Sequence, residues 1–315
     1  MYDLSRRRFV VSAAAAAAAF GLDKRLEFIP SAHAQKAGSG TAGQTLASKG
    51  WTRFKVGDIE VTQVLDGVWE KAHDPAFIKN ATVDQTKAAL KAAGMTDAHV
   101  PIPFTVTVIK TKGKYVMFDS GTGGQTGGPN TGLMMARGLL AAGIEPWKIS
   151  IIAVTHFHPD HIFGLMGKET NSQVFADAQI VMPSVEYKYW TDASLVPKLP
   201  EARRPLAQRV QATFPKWKNI TQIDDGKEVA PGVRALATHG HTPGHTSYIV
   251  SSGKQQLIVS ADVTNIHALF AKNPHWHAVF DSDPVMAEQT RRKVFDRAIA
   301  DKAMISGYHW GMPGA

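Results

Sequence analysis

The 315-residue chain contains no cysteine. Disulfides are thereby excluded, and so are thiolate zinc sites, so any metal must be held by imidazole and carboxylate. Long apolar runs are missing as well. The alanine-rich stretch Val10 to Leu22 is too short to span a bilayer comfortably, so no stable membrane anchor is expected. No short-period repeat occurs, which sets aside solenoids and propellers. Charge of one sign is not concentrated. The formal net charge is +8, but the basic residues are scattered, with local concentrations at Lys198–Arg209 and Arg291–Arg297 on predicted helices. These read as solvated helix faces, and no nucleic-acid partner is expected.

The N-terminus reads as an address. Ser5-Arg-Arg-Arg-Phe9 precedes the alanine-rich stretch, and Ser31-Ala-His-Ala34 follows it. A charged start, a short apolar middle and an Ala-x-Ala end describe a secretory signal over residues 1–34, with paired arginines of the twin-arginine kind. Cleavage is expected near Ala34, with a periplasmic or secreted destination. Residues 1–34 hold five Lys/Arg and three Asp/Glu, so removing them leaves +6. Residues 35–50, rich in Gly, Ser, Ala and Thr, read as a flexible lead-in. Residues 51–315 are then one domain.

Within that domain the pattern alternates. Val56–Val68 predicts a strand pair, Val83–Gly94 a helix, and Phe104–Lys110 with Lys114–Asp119 a hairpin around Lys112-Gly113. A glycine-led helix is expected over Gly127–Gly143 and a buried strand over Ile149–Val154. Strands at Ala178–Met182, Val233–Ala237, Ser247–Ser251, Gln256–Ser260 and Ala303–Ser306 follow. Helices are expected at Ser184–Trp190, Glu201–Thr213 and Pro284–Asp301. Mixed hairpin and βα connections argue for α/β layers.

The chemistry concentrates after the strand Ile149–Val154, in Thr155-His-Phe-His-Pro-Asp-His161. A strand end lets His156 and His158 project the same way, because side chains repeat with period two. Pro159 suits a first helical turn, which swings Asp160 and His161 toward a neighbouring position. Six residues can thus offer two ligands to each of two ions. Imidazoles suit zinc and similar borderline ions, and carboxylates can bridge. Further along, Thr238-His-Gly-His-Thr-Pro-Gly-His245 offers His239, His241 and His245, which compete for a ligand role on spacing alone. Asp262 and His309 each follow an apolar strand, where active-site groups of layered folds collect.

This order of residues resembles the metallo-β-lactamase superfamily over nearly all of 55–315, and implies its four-layer αββα sandwich. Phe118-Asp-Ser-Gly121 resembles the family's first turn, whose aspartate is structural. The His156–His161 cluster resembles the second motif and Gly240-His-Thr-Pro-Gly-His245 the third, in which the last histidine binds metal. The resemblance therefore selects His245 over His239 and His241. It implies His156, His158 and His245 for one divalent ion, most simply Zn2+, and Asp160, His161 and His309 for a second, with Asp262 between them. Thr155 and Thr246, beside ligands, are expected to orient rings.

What the resemblance implies is hydrolysis of an ester, lactone or phosphotriester by a metal-bridging hydroxide, with Asp160 as a proton carrier. Phe280-Asp-Ser-Asp-Pro284, followed by Ala287 and Arg291, is similar to the branch holding methyl parathion hydrolase and quorum-quenching lactonases. Lactonases of the family often place a tyrosine where this chain has Asn265. Relatives also commonly run on past the last histidine, so further chain beyond Ala315 is expected. Phe104, Trp190, Phe270 and Trp276 are the expected pocket lining for a small-molecule substrate, with Phe163, His275, His277 and Met312 further choices. A homodimer is usual in this branch. Competing readings are a β-lactam hydrolase or an iron oxidoreductase on the same scaffold. His158 stands where flavodiiron relatives carry Glu, which argues against redox.

Overall fold

Alternation along the strands sorts apolar side chains into two separate cores. In Ile149–Ala153, Ile152 faces one cluster while Ile151 and Ala153 face another. In Lys114–Phe118, Met117 goes one way and Val116 and Phe118 the other. A strand buried on both faces must lie inside a layered stack.

The computed structural model describes residues 50–132 and 135–315, all within one compact unit. The signal reading at 1–34 and nearly all of the lead-in at 35–50 lie outside the described residues. The first sheet comprises β1 (Trp51–Val56), β2 (Ile59–Lys71), β3 (Val100–Thr111), β4 (Lys114–Phe118), β5 (Ile149–Ala153), β6 (Gln179–Pro183) and β7 (Ile220–Ile223), in that spatial order. It is antiparallel from β1 to β4 and parallel from β4 to β7.

The second sheet runs β12-β11-β10-β9-β8, from β8 (Glu228–Ala230), β9 (Val233–Ala237), β10 (Thr246–Ser252), β11 (Gln255–Ala261) and β12 (Met304–Gly307). Only β11 and β12 pair in parallel. Between the sheets lie Val61, Ile109, Phe118 and Ile151 from the first and Val233, Tyr248, Val250 and Leu257 from the second. Phe118 and Tyr248 stack with ring centroids 5.3 Å apart. Each such side chain, fully buried, contributes about 1.5–3 kcal/mol.

Helices cover the outer faces. α1 (Val83–Ala92), α2 (Met135–Ala141), α4 (Ser184–Thr191) and α5 (Arg204–Thr213) accompany the first sheet, through Leu90, Leu139, Trp190, Ala207 and Val210 in its outer core. α7 (Pro284–Asp301) lies on the second sheet, with Val294 and Ala298 against Ile258 and Val263. The short turns α3 (Pro159–Ile162) and α6 (His267–Phe270) sit in the loops between. This is the expected αββα sandwich. α1 is closed by a capping box in which Thr82 and Gln85 satisfy each other's backbone N–H.

The glycine-led helix at 127–143 is corrected. Among the described residues only Met135–Ala141 is helical. Gly127, Gly128 and Gly132 take φ of +78°, +90° and +72°, a left-handed backbone that breaks a helix at each point. The short strands β7 and β8 had no expectation: their burial is partial and irregular, so no period-two pattern marks them.

Candidate metal centre

The strands deliver their chemistry to one end of the sandwich. β5 ends just before His156. β11 and β12, parallel to one another, end just before Asp262 and His309. β10 runs antiparallel to β11, so its start, after His245, lies at that same end. Two non-glycine residues there take left-handed backbone, Asp119 (φ +61°) after β4 and Ala261 (φ +46°) before Asp262. Such strain is tolerated where it aims a functional group.

Six of the seven expected ligands turn donor atoms toward one another; the seventh, His245, is held beside them. His156 Nε2 lies 3.1 Å from His158 Nδ1. His161 Nε2 lies 3.2 Å from Asp160 Oδ2 and 3.4 Å from Asp262 Oδ1. His309 Nε2 lies 3.0 Å from Asp262 Oδ2 and 3.5 Å from Asp160 Oδ2. His245 Nε2 accepts the Asp262 amide at 3.2 Å. An eighth group joins them: His241 Nε2 is 2.9 Å from His158 Nδ1 and 3.3 Å from Asp262 Oδ2. Three overlapping groups of donor atoms lie within 4.8 Å of one another: His156, His158 and His241; His156, His161 and Asp262; Asp160, His161 and His309.

The remaining ring nitrogens reveal which face of each imidazole is offered. His161 Nδ1 donates to Asp119 Oδ2 at 2.7 Å, His309 Nδ1 to the Pro103 carbonyl at 2.8 Å, and His245 Nδ1 to the Thr238 carbonyl at 3.1 Å. His241 Nδ1 donates to Asp281 Oδ1 at 2.8 Å. Thr155 Oγ1 gives its proton to Asp119 at 2.8 Å and so accepts from His156 Nδ1 at 3.0 Å. Each acceptor fixes a proton on Nδ1, which leaves the Nε2 lone pair of His156, His161, His241 and His309 facing the centre, while that of His245 takes the Asp262 amide. Thr155 thus orients a ring as expected. Thr246 does not: its hydroxyl donates to the Gly244 carbonyl.

Burial divides the centre into two electrical halves. It pushes the protonation of His156, His158 and His245 well below the ordinary imidazole range, with neighbouring imidazoles adding to the effect. Burial would lower His161 too, but Asp160, Asp262 and Asp119 outweigh it and raise that group well above the ordinary range. His309 is raised in the same way by Asp262 and Asp160. Asp262, against its own burial, is held well below the usual carboxylate range by His309 and His161. The carboxylate half therefore demands positive charge.

A metal pair fits this arrangement. His161 Nε2 and Asp262 Oδ1 are buried and hydrogen-bond to nothing, although they lie 3.4 Å apart. Two such atoms facing one another at that separation suit a shared cation better than a shared proton. The surroundings are borderline-soft nitrogen and hard carboxylate oxygen, the donor set of zinc and its neighbours.

Glu186 ties the loops together and was not read from the sequence. It is fully buried on α4, and burial raises its carboxyl above the usual range. It accepts the Phe157 amide (2.9 Å) and Trp190 Nε1 (2.7 Å) on one oxygen, and Thr242 Oγ1 and the Gly244 amide (2.8 Å each) on the other. One carboxylate thus spans the His156–His161 loop and the His241–His245 loop. Gly244 permits the approach: a Cβ there would stand 2.1 Å from the Glu186 backbone nitrogen. Asp66 was also missed; it accepts the Thr122 amide and hydroxyl beside the Asp119 turn.

The four expected pocket aromatics are all core residues. Phe270 (0% exposed) underlies the Arg291 guanidinium, 5.1 Å from its ring centroid. Trp190 (2%) is spent on Glu186, and Trp276 is buried in the same cluster. Phe104 alone meets a site ring, edge-on to His309 at 5.4 Å. Of the further choices, Phe163, directly after α3, is half-buried and stacks under Arg209 at 4.4 Å.

A four-layer αββα sandwich with His and Asp donors gathered at one end defines a class of two-metal proteins. Residues 103–309 match the Metallo-beta-lactamase superfamily, and the chain belongs to that family. An N-acyl homoserine lactonase from a Bacillus species is 27% identical over 156 residues, 49% of this chain and 54% of that protein. The N-acyl homoserine lactonase AiiA of Bacillus thuringiensis subsp. kurstaki is 28% identical over 129 residues, 40% and 44% of the two chains. The chain spans about half the length of the curated relatives it matches. Among solved structures, AidC, a dizinc quorum-quenching lactonase in complex with a product, is 26% identical with a TM-score of 0.77, covering 84% of this chain and 92% of that one. The hydrolase AbOPH superposes with a TM-score of 0.76 at 23% identity, over 84% and 91%, a likeness of fold alone.

Proposed function

We propose that the protein is an exported dinuclear-metal hydrolase of small apolar esters, with lactones the leading substrate class and phosphotriesters the next. The convergence of His156, His158, His241, Asp160, His161, Asp262 and His309 on one end of the sandwich carries this reading. The lactonase relatives support the lactone choice.

His156, His158 and His241 would hold one ion, in place of the His245 that the resemblance selects, and Asp160, His161 and His309 the other, with Asp262 shared. The ion pair, most simply Zn2+, would supply Lewis acidity and a nucleophilic water at neutral pH. The chain's own contribution is placement. Asp119, Pro103 and Asp281 fix the ring tautomers, so the donors need no reorganisation when substrate arrives. Asp160 is the proton carrier: its side chain is 18% exposed against 3% for Asp262, so it alone of the two carboxylates reaches solvent. The Tyr308 hydroxyl donates to the Asp160 carbonyl and steadies that segment.

Asn265, buried three residues past Asp262, cannot supply the phenol that lactonases of the family often place there. The lactone carbonyl would therefore be polarised without a tyrosine clamp. Among the described residues no helix is long and apolar enough to cross a membrane. Export rests on the signal-like residues 1–34.

The test is direct. The purified full chain is analysed for bound metal and assayed on aryl esters, acyl-homoserine lactones, phosphotriesters and β-lactams. Two equivalents of zinc with lactone turnover support the reading. Bound iron with oxygen uptake would overturn it, and β-lactam turnover alone would reassign the substrate. Export is checked separately, by whether residues 1–50 carry a folded reporter to the periplasm and lose that capacity when Arg6, Arg7 and Arg8 become lysine.

A further inference from the structure

α7 presents two faces. Ala287, Arg291, Val294 and Ala298 turn inward and are buried. Met286, Gln289, Lys293 and Arg297, spaced three to four residues apart, form a second stripe. Between this stripe and residues 236–239, where β9 ends, lies a groove of about 460 Å3. Small-molecule sites run from about 300 to 1,000 Å3.

The lining sets the chemistry. Leu236, Met286 and Val294 supply apolar surface, while Lys293 and Arg297 place two positive charges one helical turn apart. Among the described residues no carboxylate lines the groove. The other arginines of α7 are spent: Arg291 faces Asp281, and Arg292 pairs with Glu288 at 2.9 Å. Lys293 forms no ion pair among the described residues, and Arg297 meets Asp301 through Nε alone, at 3.3 Å.

We propose that the groove is a second ligand site, taking a small amphipathic carboxylate and relaying its presence to the metal loop. Such anions are the class that ester or lactone hydrolysis releases, so naming the chain's own product as the occupant rests on the hydrolase reading above. The acyl chain lies on Leu236, Met286 and Val294, and the carboxylate meets Lys293 and Arg297. Met286, unbranched and adaptable, accommodates chains of differing shape. A cationic amphiphile would meet two like charges there, and a neutral one would leave both without an anion.

The relay is short. Thr238 and His239 belong to the groove wall. The Thr238 carbonyl accepts from His245 Nδ1 at 3.1 Å, and the His239 carbonyl accepts from Thr290 Oγ1 at 2.7 Å. His241 stands two residues on. Gly240 lies so close to α7 that a Cβ would be 2.4 Å from the Ala287 amide nitrogen, so the segment cannot yield on that side. An occupant that shifts residues 238–239 therefore bears on His241, and the anion and the metal are linked reciprocally.

The experiment uses the full chain with decanoate as the probe. Decanol, which keeps the chain without the charge, and acetate, which keeps the charge without the chain, are the controls. Binding is measured by calorimetry on chelator-treated protein, where no zinc can capture the carboxylate, and zinc affinity is then measured with and without saturating decanoate. Decanoate should bind saturably, and about tenfold or more tighter than either control. Reversing both exposed charges, Lys293→Glu with Arg297→Glu, should weaken it about tenfold. Met286→Trp, which fills the groove and keeps both charges, should weaken it as much; circular dichroism checks that each variant is folded. In the parent chain decanoate should change zinc affinity about fivefold or more, an effect that both variants lose. Absence of saturable binding, binding unchanged in both variants, or zinc affinity indifferent to decanoate would overturn the proposal. A chain that takes up decanoate yet hydrolyses no ester or lactone would refute the hydrolase reading and leave the site standing.

Discussion

Replacing Glu186 with glutamine changes one atom's identity and no shape, which makes it a sharp test of how the metal loops are held. The carboxylate accepts four hydrogen bonds, two on each oxygen. Glutamine keeps one acceptor oxygen and turns the other into a donor. With the amide nitrogen toward the Phe157 amide and Trp190, two rigid N–H donors are orphaned; turned the other way, the Gly244 amide and the Thr242 hydroxyl lose their acceptor. The hydroxyl can rotate, so the second orientation is preferred and loses one backbone bond outright. An orphaned buried donor costs about 1–3 kcal/mol. Relief from burying a charge offsets part of this, since burial already raises the Glu186 carboxyl.

The expected net loss is about 1–2 kcal/mol, read from denaturant midpoints at unchanged m. Metal affinity should fall with it, because both loops that carry His156, His158 and His241 lose their common tie. Stability within about 0.5 kcal/mol of the parent, the range of an ordinary surface change, together with unchanged metal affinity, would refute the assignment.

Asp119→Asn should leave the fold intact but release the His161 tautomer and one Thr155 bond; metal titration should show one site weakened about 10- to 100-fold. Phe270→Ala should cost about 3–5 kcal/mol in unfolding experiments, because that ring is core packing; a change confined to substrate KM with stability intact would restore it to a pocket wall. Chelation of bound metal should lower the thermal midpoint, by the linkage expected of a ligand that binds only the folded chain. A midpoint indifferent to chelator would mean that the donors hold no ion.

Much of this architecture is written locally. Near-continuous apolar burial on both faces marks β3, β4 and β5, and the Asp283 cap with Pro284 marks the start of α7, so those elements fall where the sequence places them. The His156–His161 cluster is legible for the same reason, since a strand end and a proline-led turn determine its geometry. Errors arise where nothing local decides. Alanine and leucine after residue 136 promote a helix, but glycines 127, 128 and 132 adopt conformations set by the loop they close. Glu186, Asp66, Asp281 and Arg291 carry no pattern at all: each is a charged residue buried by partners 10 to 58 positions away. His241 illustrates the limit best. Spacing leaves it level with His239 and His245, and resemblance passes over it, while its distances to His158 and Asp262 come only from three-dimensional packing.

The two sheets are consecutive along the chain, the first ending at Ile223 and the second beginning at Glu228, yet neither owns a complete donor set. Cutting the chain in the turn at Asp224–Lys227 would yield two fragments, one bearing His156, His158, Asp160 and His161, the other His241, Asp262 and His309. Their reassembly would then be gated by metal: the ion acts as a rivet between halves that otherwise meet through an apolar seam and a few hydrogen bonds, the Glu186 tie among them. A split-protein pair built at this turn should recombine in proportion to free zinc, which turns the fold itself into a reporter of metal supply.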